Sequence, residues 1–231
     1  MNPQTPSQVG TGARPAPEQS ASLLSQSFGW MFAGLLLTSA IAAFVWGNAR
    51  IIETVGGFWF LIFFGQLGLA IGIQGLIGRI SATVALGLFF VFAATMGFTV
   101  GVIVSFYTVP SVVSSFFGAS AMFGAAALYG YTTKRSLTGL GGFLFMGVIG
   151  LIVASIVNVF LNSGPLGWII ALIGVIVFTV ITAYDVQRIK YGDYIAATGS
   201  VEKASVLGAL HLYINFVNIF LFLLRLFGSR D

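Results

Sequence analysis

Residues 166–186, LGWIIALIGVIVFTVITAYDV, run from Leu166 to Tyr184 without a charged side chain and then meet Asp185. As a helix those nineteen residues rise about 28 Å, close to the ~30 Å hydrocarbon core of a bilayer. Six further apolar runs of 19 to 24 residues lie near 28–46, 57–77, 83–106, 111–131, 141–161 and 206–227. The reading is an all-α membrane protein, a bundle of seven transmembrane helices. Short segments of alternating polarity, the mark of a membrane barrel, are absent. Polar punctuation separates the runs at Asn48/Arg50/Glu53, Arg79/Ser81, Tyr107–Pro110, Lys134/Arg135, Asn162–Pro165 and Arg188 to Lys203. Pro165 suits a helix start, and Pro110 a break between two spans.

Composition demands the same class. Of 231 residues 58% are hydrophobic and 7% charged, with a mean hydropathy of +1.01. A soluble domain carries roughly a quarter charged residues, so this surface is built to face lipid. The chain has no cysteine, which excludes disulfides and thiol chemistry. The net charge of +4 lies in loop lysines and arginines, as the positive-inside rule requires, and calls for no nucleic-acid partner.

Residues 1–27 are rich in Pro, Gln, Ser and Gly without an apolar period, and the expectation is a disordered cytoplasmic tail before a transmembrane domain over 28–231. A signal peptide competes, since Ala40-Ile41-Ala42 resembles a cleavage site, but the tail lacks a compact basic region and the run is long enough to span. Arg14, Arg79, Lys134, Arg135, Arg188, Lys190 and Lys203 fall on one side and Arg50, Arg225 and Arg230 on the other. Seven against three predicts the N-terminus in the cytoplasm and the C-terminus outside. Gly68-xxx-Gly72, extended by Gly65, Gly75 and Gly78, and Gly97-xxx-Gly101 predict close helix packing.

Inside the spans the polar residues are few. Asp185, near the end of the sixth, has two readings: a helix-end ion pair with Arg188 at i+3, or a buried gate or proton-binding group. In the seventh span His211, Asn215, Asn218, Phe222 and Arg225 are spaced 4, 3, 4 and 3 and share one face, which should point into the bundle or a water-filled cavity. His211 is the only histidine, and histidine changes charge near neutral pH. A bland alternative is a histidine at the membrane surface that simply meets water. Gln66 and Gln74 in the second span are neutral amides suited to interhelical hydrogen bonds. No enzyme is expected. Tyr184-Asp185 and Gly192-Asp193 superficially suggest an intramembrane aspartyl protease, but Asp193 lies eight residues on with no span between. There is no Gly-x-Ser-x-Gly, and one His with no Cys is a poor metal set, so neither cofactor nor structural metal is predicted.

Three segments carry a resemblance. Thr182-Ala183-Tyr184-Asp185-Val186-Gln187-Arg188-Ile189-Lys190, Tyr129-Gly130-Tyr131-Thr132-Thr133-Lys134-Arg135-Ser136-Leu137, and Leu212-Tyr213-Ile214-Asn215-Phe216-Val217-Asn218-Ile219-Phe220 with Leu224-Arg225 are similar to the sixth span, fourth loop and last span of the Bax inhibitor family. The resemblance, to bacterial-type members of this transmembrane Bax-inhibitor-motif family, covers the chain from about residue 25 onward. It implies a seven-helix bundle with the last helix surrounded by the others and a pH-sensitive calcium leak. In eukaryotic relatives it implies a role in restraining cell death. Where the family usually carries an Asp in the last span, this chain has Asn215, and where many relatives carry a Glu in the second span it has Gln66. Asp185 is the one acid left of three.

Two functions stay open: a leak for calcium or other cations gated around Asp185, or a non-conducting, stress-protecting regulator acting through membrane protein partners. In the first, His211, one turn from Asn215, takes over part of the lost acidic latch by pairing with Asp185.

Overall fold

The computed structural model describes residues 17–229; among them every regular element is a helix. Helix α1 covers Pro17–Trp46, α2 Ala49–Gly57, α3 Trp59–Leu76, α4 Ala82–Val104, α5 Val109–Thr132, α6 Gly141–Leu161, α7 Gly164–Tyr191, α8 Asp193–Thr198 and α9 Val201–Phe227. Six of these, α1, α4, α5, α6, α7 and α9, are long and apolar enough to cross a membrane. The run expected at 57–77 is an 18-residue helix whose apolar part, Phe60–Leu76, lies at the short limit for a span.

Local chemistry sets the ends. Ser81, Ser163 and Ser200 cap α4, α7 and α9 by accepting from the amides of Val84, Leu166 and Lys203 at 3.2, 3.3 and 3.1 Å. Pro110 and Pro165 sit in first turns, where the missing amide proton costs nothing. Gly192 and Gly199 stop α7 and α8 in the left-handed region, at φ 77° and 75°.

The predicted tail boundary at residue 28 is corrected to Pro17, where α1 begins with Glu18 in its first turn. The serines of 20–25 and Gln26 mask a buried face of Leu23, Leu24 and Ser27 that docks on the bundle. Residues 1–16, the rest of the predicted tail, fall outside the described residues. Thirty residues make α1 about 45 Å long, more than the hydrocarbon thickness. The stretch around Arg50 and Glu53, read as loop, is α2, and the sixth loop contains α8.

Helix α9 packs against α1, α3, α4, α5, α7 and α8. It buries 72% of its most apolar window, against 17–44% for the other five long spans. Membrane helices gain little from hiding apolar area from lipid, so close packing and internal hydrogen bonds hold them. One predicted glycine pair does this. A Cβ on Gly97 or Gly101 would come within 2.7 Å of the Cβ of Ile41 or Val45 on α1. The other does not: Gly65, Gly68, Gly72, Gly75 and Gly78 face open space, because α3 meets α4 through Gln66, Ala70, Ile73 and Ile77 instead. Gly101→Val is therefore expected to cost about 1–3 kcal/mol by overpacking, and Gly68→Val close to nothing. Thermal unfolding of the two variants in detergent, followed by tryptophan fluorescence, checks the contrast. Equal melting would mean that α1 and α4 are not held by this contact.

Candidate functional site: a capped carboxylate inside the bundle

Asp185 lies on the bundle-facing side of α7, 2% exposed. Its Oδ2 accepts a hydrogen bond from Asn215 Nδ2 on α9 at 2.8 Å. Its Oδ1 accepts from the Tyr194 hydroxyl on α8 at 2.9 Å and faces His211 Nδ1 at 3.5 Å. The Tyr194 oxygen is also 2.9 Å from His211 Nδ1, and the two rings meet edge to face with centroids 5.3 Å apart. On the far side of the imidazole, Nε2 lies 3.0 Å from Gln74 Oε1 on α3, while the Gln74 amide nitrogen donates to the Ala70 carbonyl at 3.1 Å. Four helices thus converge on one carboxylate. A buried charge demands such donors, each worth about 1.5–3 kcal/mol when the partner is ionised.

Counting protons reveals what the arrangement prefers. Gln74 gives one N–H to Ala70 and turns its oxygen to His211 Nε2. Tyr194 gives its single proton to Asp185, so its oxygen and the carboxylate both lie beside Nδ1 as acceptors. Burial, with the Asp185 charge beside it, pushes the Tyr194 phenol well above its usual range, so Tyr194 stays a donor.

Arg188 does not pair with Asp185 as the i+3 spacing suggested. It reaches Asp193 on α8 through Nε at 3.5 Å, with its guanidinium 4.7 Å from the Tyr194 ring centroid and 5.5 Å from that of Tyr184. The carboxylate oxygens are taken by Asn215 on α9 and Tyr194 on α8, while Arg188 reaches past Tyr194 to Asp193. Other residues of the 182–190 segment brace the loop before α6: Gln187 accepts from the Leu137 amide at 2.7 Å and donates to the Arg135 carbonyl at 2.9 Å, and Lys190 donates to the Tyr131 carbonyl at 2.6 Å.

The other predicted interior groups stand apart from the cluster. Gln66, 6% exposed, donates to Thr99 at 2.8 Å and joins α3 to α4. Asn218 bonds the Ile214 carbonyl of its own helix at 2.8 Å. Arg225 is exposed at the far end of α9, over Gly167 and near Asn158, and is not an interior group. The α9 stripe therefore splits, with His211 and Asn215 in the cluster, Asn218 and Phe222 beyond it, and Arg225 at the opposite end.

A cavity of about 300 Å³ opens beside the carboxylate, lined among others by Gln74, Tyr184, Asp185, Arg188, His211 and Asn215. The reading of residues alone missed Tyr194, the hydroxyl that joins Asp185 to His211, whereas Gln74 makes an interhelical contact as expected, to His211. The one signal for Tyr194 was an aromatic set between two glycines, Gly192 and Gly199, nine residues after Asp185.

Fold and site define a multi-pass helical membrane protein with a single capped carboxylate held between helices. The chain matches, over residues 20–231, the family described as inhibitor of apoptosis-promoting Bax1. It is 44% identical over 213 residues to the inner membrane protein YbhL of Escherichia coli K12, covering 90% of this chain and 91% of that one. An uncharacterized protein of Rickettsia prowazekii is 40% identical over 206 residues, 88% of this chain and 87% of the other. An uncharacterized membrane protein of Streptococcus pyogenes is 38% identical over 154 residues, 66% and 67% of the two chains. The chain belongs to the Bax inhibitor family.

Proposed function

We propose that the protein is a weak cation leak, calcium among its ions, closed at rest by the donors on Asp185. In this reading α3 completes a seven-helix bundle around a central α9, with the N-terminus in the cytoplasm and the C-terminus outside. The observation that carries it is the buried Asp185 carboxylate, held by side chains from α8 and α9 beside an open cavity. A charge at membrane depth is costly and marks an ion or proton path by default. Here its oxygens are occupied by donors, so the path is shut until the donors leave.

The latch is the network of Asp185, Tyr194 and His211. The groups facing His211 are Asp185 on α7, Tyr194 on α8, Gln74 on α3 and Asn215 on its own helix; Arg188 stands behind Tyr194, paired with Asp193. Flux through a path closed by such groups is expected to depend on pH. The test is calcium flux from liposomes at about pH 6 and about pH 8, beside Asp185→Asn. Flux that differs between the two pH values, with the difference lost in the variant, supports the reading. No protein-dependent flux at either pH, from folded protein beside a conducting relative, removes it.

The second reading, a non-conducting regulator with membrane protein partners, draws on Asn215 and Gln66. The first is a neutral donor, and the second is committed to Thr99 away from the cavity. Neither supplies an anionic oxygen along a path, and calcium favours several.

A further inference from the structure

Beyond Asp185 the cavity does not end. A second one, of about 470 Å³, continues along α9 and shares Val148 and Phe178 with the first. Phe60, Phe63 and Phe64 of α3 form one wall and Ser155, Ile156 and Phe160 of α6 the other, over Asn218 and Phe222. Helix α3 is held by α4 and α9, and α6 by α7, so the two face each other across a lateral fissure. From Gly141 to Phe160 it follows α6 for about 28 Å, the depth of the hydrocarbon core. We propose that this fissure is a binding site for one anionic phospholipid, its phosphate on Arg188 and an acyl chain between α3 and α6.

The two ends of the fissure differ in chemistry. At the Asp185 end Gln74, His211 and Arg188 line the wall; the far part is phenylalanine, valine, isoleucine and leucine apart from Ser155 and Asn218. Polar groups facing bare hydrocarbon are disfavoured, and an amphipathic molecule with its headgroup at one end satisfies both halves. Arg188 meets Asp193 through Nε, which leaves its forked terminal nitrogens for a phosphate. The same end of the bundle carries Arg79, Lys134, Arg135, Lys190 and Lys203: Lys203 bonds the Gly78 carbonyl, Lys190 that of Tyr131, and Gln187 that of Arg135. Against them stand Glu18 in the first turn of α1, Glu202 and the already paired Asp193. Such a rim favours a headgroup with net negative charge.

The experiment is native mass spectrometry of the full chain, purified in mild detergent with equal phosphatidylglycerol and phosphatidylcholine. One phosphatidylglycerol per chain is expected, retained about fivefold over phosphatidylcholine, the ratio one basic side chain provides. Val148→Trp and Ile152→Trp each fill the fissure and should remove the lipid. Arg188→Gln should keep a lipid but make the two headgroups equivalent. Val113→Trp, in the apolar cavity across α9, is the control and should retain lipid as wild type does. Gel filtration confirms that each variant is folded; if one fissure tryptophan unfolds the chain, the other answers the question. Equal retention of both lipids by the wild type, or undiminished retention in a folded fissure variant, overturns the proposal. A dimer that Val148→Trp dissociates would place a second copy there and overturn it as well.

Discussion

Asn215→Asp is expected to leave the protein nearly as stable as wild type at about pH 5 and to destabilise it by on the order of 4 kcal/mol at about pH 8. Asn215 Nδ2 now donates to Asp185 Oδ2 at 2.8 Å, so the variant sets a second carboxyl against the first. At low pH the new group is protonated, and its O–H donates where the amide does. As pH rises the shared proton must leave, and two anions about 3 Å apart in the bundle cannot both be accommodated. The like-charge repulsion is therefore absent at low pH and grows as pH rises. Thermal unfolding across that range, beside wild type, reads the difference. A melting temperature that falls no faster with pH than wild type would mean that water screens the pair, and that the carboxylate is far less buried than its 2% exposure implies.

His211→Gln is expected to erase the pH dependence of the leak. Glutamine keeps an amide that can reach Tyr194 and Gln74 but lacks the imidazole. A coupling of 1–3 kcal/mol between the ring and the gate corresponds to about 5- to 150-fold, so a wild-type flux ratio of about tenfold between the two pH values should fall to about one. Tyr194→Phe removes the bridging hydroxyl, yet leaves His211 within 3.5 Å of Asp185. Flux should then rise at both pH values with the ratio reduced but its sense kept. A tenfold ratio that survives in His211→Gln would put the sensor elsewhere.

Much of the site was legible in the chain. Asp185 stood out because a charge ends an apolar run, and His211 and Asn215 because spacing of four aligns them on a helix. What connects them was not. Tyr194 arrives from α8, a six-residue helix in a segment that reads as loop, and its role depends on Gly192 turning the chain back over the end of α7. Arg188 looked like the natural partner of Asp185, yet the donors on that carboxylate come from Asn215 and Tyr194, and Arg188 pairs with Asp193 on α8. Gln66 and Gln74 are the same amide eight residues apart on one helix. Only the packing of α3 sends the first to Thr99 and the second to His211.

The sequence by itself determined the solvent and the long apolar helices, though not the short α2 and α8. Runs of about 20 apolar residues must be helices in lipid, because each backbone polar group needs a partner within its own segment. Serines, prolines and glycines then placed several of their ends. Tertiary structure alone decided which faces meet. Lipid is as apolar as leucine, so hydropathy that separates inside from outside in a soluble protein says nothing about which side of a span is buried. Gly97 and Gly68 carry the same local pattern, yet only Gly97 lies against another helix. Fit between helix surfaces settles that choice, together with the few buried polar groups that must find one another.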